Sequence, residues 1–206
     1  MNMKRLLTIV CVAMLTIAAS AQITWNVKAS GGIATLWGSD ASNSKPHFVA
    51  KAGVGIEKPF TPNFSLMPSL EIAWKGFKYE EKERYLGSGL YSLGYDLTVD
   101  ILYIQVPILA TYRISLSNDW NMTFKGGPYV AYSIYDHYKN SNEFGSVSRS
   151  NALDVNKFDA GVDAGIDFEY HRFVFGVEGE MGFLSLAKNN AKINNLAFYA
   201  TVGYKF

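Results

Sequence analysis

KFDAGVDAGIDFEYHRFVFGVEGEMGF, Lys157 to Phe183, decides how the rest of the chain is read. From Phe158 to Tyr170 every second residue is apolar. Between them stand Asp159, Gly161, Asp163, Gly165, Asp167 and Glu169. After His171-Arg172 the alternation resumes, with Phe173, Phe175, Val177 and Met181 set against Glu178 and Glu180. A period of two is the signature of a β-strand with unlike faces. The interruption at His171-Arg172 reads as a tight hairpin turn.

The same period recurs along the chain. Segments starting at Thr24, Phe48, Phe64, Leu97, Trp120, Lys157, Phe173 and Leu196 give eight strands. Their polar faces carry Lys28, Lys51, Glu71, Lys75, Asp100, Gln105, Arg113, Lys125 and Lys205 together with the acids above. The connections alternate in length: long at 36–47, 78–96, 136–156 and 185–195, short at 58–63, 115–119 and 171–172. Long loops at one end and tight turns at the other mark an up-and-down antiparallel meander.

Eight alternating strands fit either a soluble barrel with an apolar interior or a membrane barrel with its faces reversed. The polar face is rich in Gly, Ser and Ala, which suits a crowded interior. Aromatics cluster where the apolar face nears the strand ends: Trp25, Tyr112, Trp120, Tyr170 and Phe206 at the short-turn end, Trp37, Trp74, Tyr95 and Tyr132 at the long-loop end. Such girdles are expected at the two lipid headgroup layers. The segments also reach the ~9–11 residues needed to cross hydrocarbon at a tilt. The acids set the scale. Six carboxylates on the lipid face of two strands, at even ~1 kcal/mol each, would cost several kcal/mol, comparable with a folding free energy of ~5–15 kcal/mol. The acids must therefore point inward. Pro68, Pro107 and Pro128 lie inside strands, and bulges or broken pairing are expected there.

Composition agrees. The 206 residues include 18 Gly, 13 Tyr and 13 Phe, which favours β structure. A net charge of +1 gives no argument for a nucleic-acid partner. Residues 1–21 have Lys4 and Arg5 before an apolar run, and Ala19-Ser20-Ala21 at the end, the pattern of a cleaved secretory signal. The barrel domain is then 22–206. The single cysteine, Cys11, falls in the signal, so the mature chain has no disulfide or cysteine metal site.

Tyr103-Ile104-Gln105-Val106-Pro107-Ile108-Leu109-Ala110-Thr111-Tyr112 resembles the Y-x-x-x-P-x-x-x-x-Y strand of Bacteroidetes-type outer-membrane β-barrel domain proteins, the porin-family and PorT-like group. Gly127-Pro128-Tyr129, Asp163 to Tyr170 and the ending Gly203-Tyr204-Lys205-Phe206 resemble that family's later strands. The terminal Phe206 also resembles the signal read by the outer-membrane assembly machinery. The resemblance implies an eight-stranded transmembrane barrel in the outer membrane without a defined activity. A secretion-system role of the PorT type is a narrower alternative.

No catalytic, cofactor or metal residue is assigned. An eight-stranded barrel is filled by its own side chains, which excludes a general diffusion pore. A lipid-directed hydrolase is the rival class: of His47, His137 and His171, His137 lies near Ser133 and Asp136 though no recognised spacing joins them, and His171 sits in a predicted tight turn away from a lipid-facing rim. Gly87-Ser88-Gly89 with Gly94 lacks the spacing of a phosphate loop. Asp136, Asn140, Asn142 and Glu143 miss the calcium-loop pattern. Asn63 and Asn121 head formal glycosylation tripeptides at the short-turn end. Function is expected in the loops, where Glu80 to Tyr85, Tyr91 and Tyr95 could meet an extracellular ligand. The partners expected are outer-membrane lipid, the assembly machinery and that ligand, with the protein a monomer.

Overall fold

The computed structural model describes residues 23–38, 44–81, 84–85, 91–92, 95–142, 145–150, 156–185 and 193–206. The proposed signal segment, the tract 86–90 and Glu143 lie outside the described residues. The structure is all-β. Its elements are β1 (Thr24–Trp37), β2 (Ser44–Lys45), β3 (His47–Pro59), β4 (Phe64–Glu81), β5 (Arg84–Tyr85), β6 (Tyr91–Ser92), β7 (Tyr95–Ser115), β8 (Trp120–Asn142), β9 (Gly145–Ser150), β10 (Phe158–Tyr170), β11 (Phe173–Gly182) and β12 (Asn194–Lys205).

Eight of these form the wall. In order β1, β3, β4, β7, β8, β10, β11, β12, each pairs antiparallel with the next, and β12 pairs back to β1. The last backbone amide, Phe206 N–H, donates to Trp25 O at 2.8 Å and seals the seam at the short-turn end. Closure leaves the wall no free edge. At the β10–β11 turn, His171 takes φ 52°, the left-handed conformation a two-residue hairpin needs.

The faces follow the predicted parity. Trp25, Ile33, Phe48, Ile72, Phe124, Phe168, Phe175, Val177, Phe198 and Val202 all project outward and are exposed. Lys51, Lys75, Lys125, Asp159, Asp163, Asp167, Glu169, Glu178 and Glu180 are buried in the lumen. Ile56 is the exception to its strand's alternation, being only 2% exposed. On β7 the outward Tyr112 and Leu102 are ten residues apart. Leu102 is in register with Trp74 and Tyr135, and Tyr112 with Phe64 and Phe124. At ~3.3 Å per residue and ~40° tilt the two aromatic levels stand about 25 Å apart, the height of the apolar band of outer-membrane barrels.

The prolines interrupt pairing without shifting it. Pairing lapses between Pro68–Ile108 and Glu71–Gln105, and between Pro107–Tyr129 and Ala110–Gly126, and resumes in the same register. The missing N–H removes a rung, and flanking rungs hold the strands aligned. The register shift lies elsewhere. Leu102 pairs with Tyr135 and Tyr103 with Ser133, so Ile134 is an extra residue. Ile134 and Tyr135 are consecutive and both exposed, at 41% and 42%. Beyond this bulge the inward parity of β8 switches from odd to even numbers.

β4, β7 and β8 run 18, 21 and 23 residues. Crossing the hydrocarbon takes ~9–11. The surplus continues past the wall at the long-loop end, with β2 pairing along β4 and β9 along β8. A projecting sheet of order β2-β4-β7-β8-β9 results.

Candidate functional site

The middle of the lumen is organised around Lys51 of β3. Its Nζ lies 2.5 Å from Glu180 Oε1, 3.4 Å from Glu71 and 3.5 Å from Asp163, and it also pairs with Glu178. Lys75 of β4 takes the other Glu180 oxygen at 2.6 Å. Lys125 of β8 bridges Asp167 at 2.8 Å and Glu178 at 2.7 Å, and Lys28 approaches Asp167 at 3.9 Å. Inward positions on six strands supply these groups, because each strand sends only alternate side chains to the axis. Acids outnumber cations along this wall. Neutral donors make up the difference: Gln105 Nε2–H to Glu180 at 2.8 Å, Ser69 O–H to Glu71 at 3.0 Å and Tyr129 O–H to Asp159 at 3.1 Å.

Small residues create the room. A Cβ on Gly165 would lie 2.8 Å from both Lys125 Cε and Glu178 Cβ, and one on Gly176 would meet the Asp167 carboxylate. Gly165→Val is therefore expected to overpack the lumen and lower stability by ~1–3 kcal/mol, read as a lower urea midpoint in lipid vesicles. An unchanged midpoint would show spare volume around Lys125.

Toward the short turns a second cluster joins Glu57 to Lys205 (2.7 Å) and Arg113 (2.8 Å), and Glu169 to Lys205 (2.6 Å), Arg113 (3.3 Å) and Thr123 (2.8 Å). Toward the long loops an apolar cluster shares the lumen with the buried Ser133, Asp136 and Asp159. Ala73, Val99, Ile101, Tyr103, Tyr129 and Ala131 form a plug, roofed by Leu36, Phe77, Leu97 and Tyr138. Lys75 joins the layers, its Nζ 4.5 Å from the Tyr129 ring centroid. The ion pairs beneath this cluster tie the strands together across the lumen.

Asp163, Glu178 and Glu180 bring three carboxylate oxygens within 4.8 Å of one another. Lys51 Nζ contacts all three residues and supplies the cation that such a cluster requires.

Two expectations need correction. Asp100, assigned with Gln105 to the inner face, has the parity of Leu102 and stands on the outer wall. There it accepts Trp74 Nε1–H at 3.0 Å and lies 2.9 Å from His47 Nε2. Ser133, Asp136 and His137 do not assemble. The Ile134 bulge leaves Ser133 and Asp136 buried inside and turns His137 outward. His137 meets Ser150 at Nδ1 and Ser148 at Nε2, both at 3.0 Å, across the β8–β9 pair. No spacing motif joins residues 137, 148 and 150; register alone brings them together. His171 faces Asp119 at the short-turn end, 3.8 Å away. Asn63 donates to Arg113 O and Asn121 accepts from Ser115, both at that same end.

The sequence profile of the outer membrane protein beta-barrel domain matches residues 19–188. The chain belongs to that family. Membership and the inside-out wall place it in the outer membrane, with the long-loop end extracellular as in other such barrels. Among solved structures it is similar to Ail, the attachment invasion locus protein of Yersinia pestis, at 16% identity and TM-score 0.46, over 90% of this chain and 100% of that one. It is similar to Neisserial surface protein A at 12% identity and TM-score 0.45, over 90% and 100%. It is also similar to the outer membrane enzyme PagL at 9% identity and TM-score 0.48, over 87% and 98%. No curated protein sequence matches.

Proposed function

We propose that the protein is a non-conducting outer-membrane scaffold that displays its projecting β-sheet for contact with an extracellular partner. The observation that carries this reading is the excess length of β4, β7 and β8 over a filled, ion-paired lumen. A diffusion pore needs an open lumen, and a plain membrane anchor needs no sheet beyond the headgroups. In this reading the protein acts as a monomer, is inserted by the assembly machinery and is held in outer-membrane lipid.

The test has two arms. In planar bilayers the purified barrel gives no stable large conductance, and a steady open pore would refute the scaffold. Separately, residues 139–148 are replaced by an Asn-Gly turn joining the paired Tyr138 and Arg149. Cells displaying the intact chain adhere to one another or to a coated surface more than cells displaying the shortened one. Equal adhesion from both would remove the sheet's proposed role.

A lipid-directed hydrolase is the second reading, favoured by the contacts of His137 with Ser148 and Ser150. One hydroxyl can donate to the imidazole while the other accepts from it, as a base-assisted serine requires. Unchanged membrane lipid composition on comparing wild type with Ser150→Ala and Ser148→Ala would eliminate it. The PorT-type secretion role rests on the strand-motif resemblance alone.

A further inference from the structure

The outer face of the projecting sheet carries a cross-strand row that the scaffold reading does not use. Lys45 of β2 is directly opposite Lys78 of β4, Lys78 is opposite Thr98 of β7, Thr98 is opposite Lys139 of β8, and Lys139 is opposite Ser148 of β9. All five have outward parity. Lys45 and Lys139 are exposed, and Lys78 is partly exposed with an ion pair to Asp96 at 3.5 Å. Like charges directly opposite on adjacent strands repel. Two lysines in register and a third two strands away form a cationic strip whose ends are about 15 Å apart, at ~4.8 Å per strand.

The height of the strip selects its ligand. Lys78 lies four residues beyond Trp74 on β4, and Lys139 four beyond Tyr135 on β8. Trp74 and Tyr135 belong to the aromatic level that marks the hydrocarbon boundary. Four residues are ~13 Å along a strand, or about 10 Å in height at the tilt of a barrel wall. Lysine stems from that height reach back over apolar surface into the headgroup layer. Immediately below, Asp100 accepts Trp74 Nε1–H and lies beside His47; its charge and that of Asp96 partly offset the strip, and the three lysines outnumber them. Ser148 and Thr98 add hydroxyls to the same row.

We propose that Lys45, Lys78 and Lys139 bind the phosphate groups of an outer-leaflet lipid headgroup, with its acyl chains lying against the exposed wall at Phe48, Ile72 and Trp74. The spacing suits a headgroup bearing two phosphates better than one bearing a single charge.

The full-length folded barrel in detergent is titrated with bisphosphorylated lipid A and with the same lipid after removal of both phosphates, and bound lipid is counted by native mass spectrometry. Wild type retains the bisphosphorylated form at least about tenfold more tightly. A juxtamembrane lysine contributes roughly fivefold. Because Lys78 already pairs with Asp96 and Lys45 also has a partner in the structure, the triple variant K45Q/K78Q/K139Q is expected to lose about tenfold to 100-fold, falling to the affinity of the dephosphorylated lipid. K45R/K78R/K139R retains the preference, and Lys58→Gln at the opposite end leaves it unchanged. Heat-modifiable gel mobility verifies that each variant is folded. Equal binding of the two lipids by wild type, or an unaltered preference in the glutamine triple variant, would overturn the assignment. Neither outcome bears on conductance or on adhesion.

Discussion

Lys51→Met is expected to cost the barrel about 3–5 kcal/mol, enough to abolish folding if the total is near the low end of ~5–15 kcal/mol. The size of the effect comes from what is left behind. Glu180 keeps Lys75 and Glu178 keeps Lys125, but Lys51 supplies Asp163 with its only cation contact within 4 Å among the described residues. Asp163 is 1% exposed, so water cannot replace the ammonium. A buried charge without a partner carries its full desolvation penalty. Adding Asp163→Asn to Lys51→Met removes that charge, and it should return ~1–3 kcal/mol even though no new interaction forms. Urea unfolding in lipid vesicles, followed by tryptophan fluorescence, measures both. A Lys51→Met barrel as stable as wild type would mean that the hub is hydrated, and the filled-lumen account would fail with it.

The second large effect is expected on the opposite face. Val177 on β11 is 60% exposed, near the middle of its strand, in register with Ile166 and Ala200. Arginine there meets hydrocarbon and should cost ~2–4 kcal/mol. Val202→Arg, at a residue 56% exposed in register with Phe175 and Ala29, should behave alike. The same substitution at Ser148, on the projecting sheet, should cost no more than ~1 kcal/mol, since the penalty fades at the interface. The gradient is the informative result. A soluble barrel would accept arginine equally at all three exposed positions, so equal small effects in vesicles would contradict the membrane-facing wall.

Much of this was legible because alternation is a local property. Asp159 to Glu169 and Glu178 to Glu180 faced the lumen as read, and so did Lys28, Lys51, Lys75, Arg113, Lys125 and Lys205. Asp100 is polar yet occupies an even, outward position on β7; the structure obeys position and satisfies the carboxylate with His47 and Trp74. Of the bulges or broken pairing expected at the prolines, the structure shows broken pairing, with the register kept by flanking hydrogen bonds. The bulge at Ile134 falls within Tyr132-Ser133-Ile134-Tyr135, where no glycine or proline advertises it. That single residue puts Ser133 and His137 on opposite faces, while Asp136 and His137, being adjacent, would face apart in any regular strand, and so the one catalytic grouping the sequence offered dissolves.

The amino-acid sequence by itself determined which side chains face lipid and which face the axis, because a period of two and the cost of charge in hydrocarbon need no knowledge of neighbouring strands. Only the tertiary structure decided who meets whom. Lys51 and Glu180 are 129 residues apart, and Lys45, Lys78 and Lys139 fall into one row through the register of separate hairpins. Register is fixed by the hydrogen-bonded closure of the whole wall, and a one-residue bulge anywhere along it re-aims every side chain beyond.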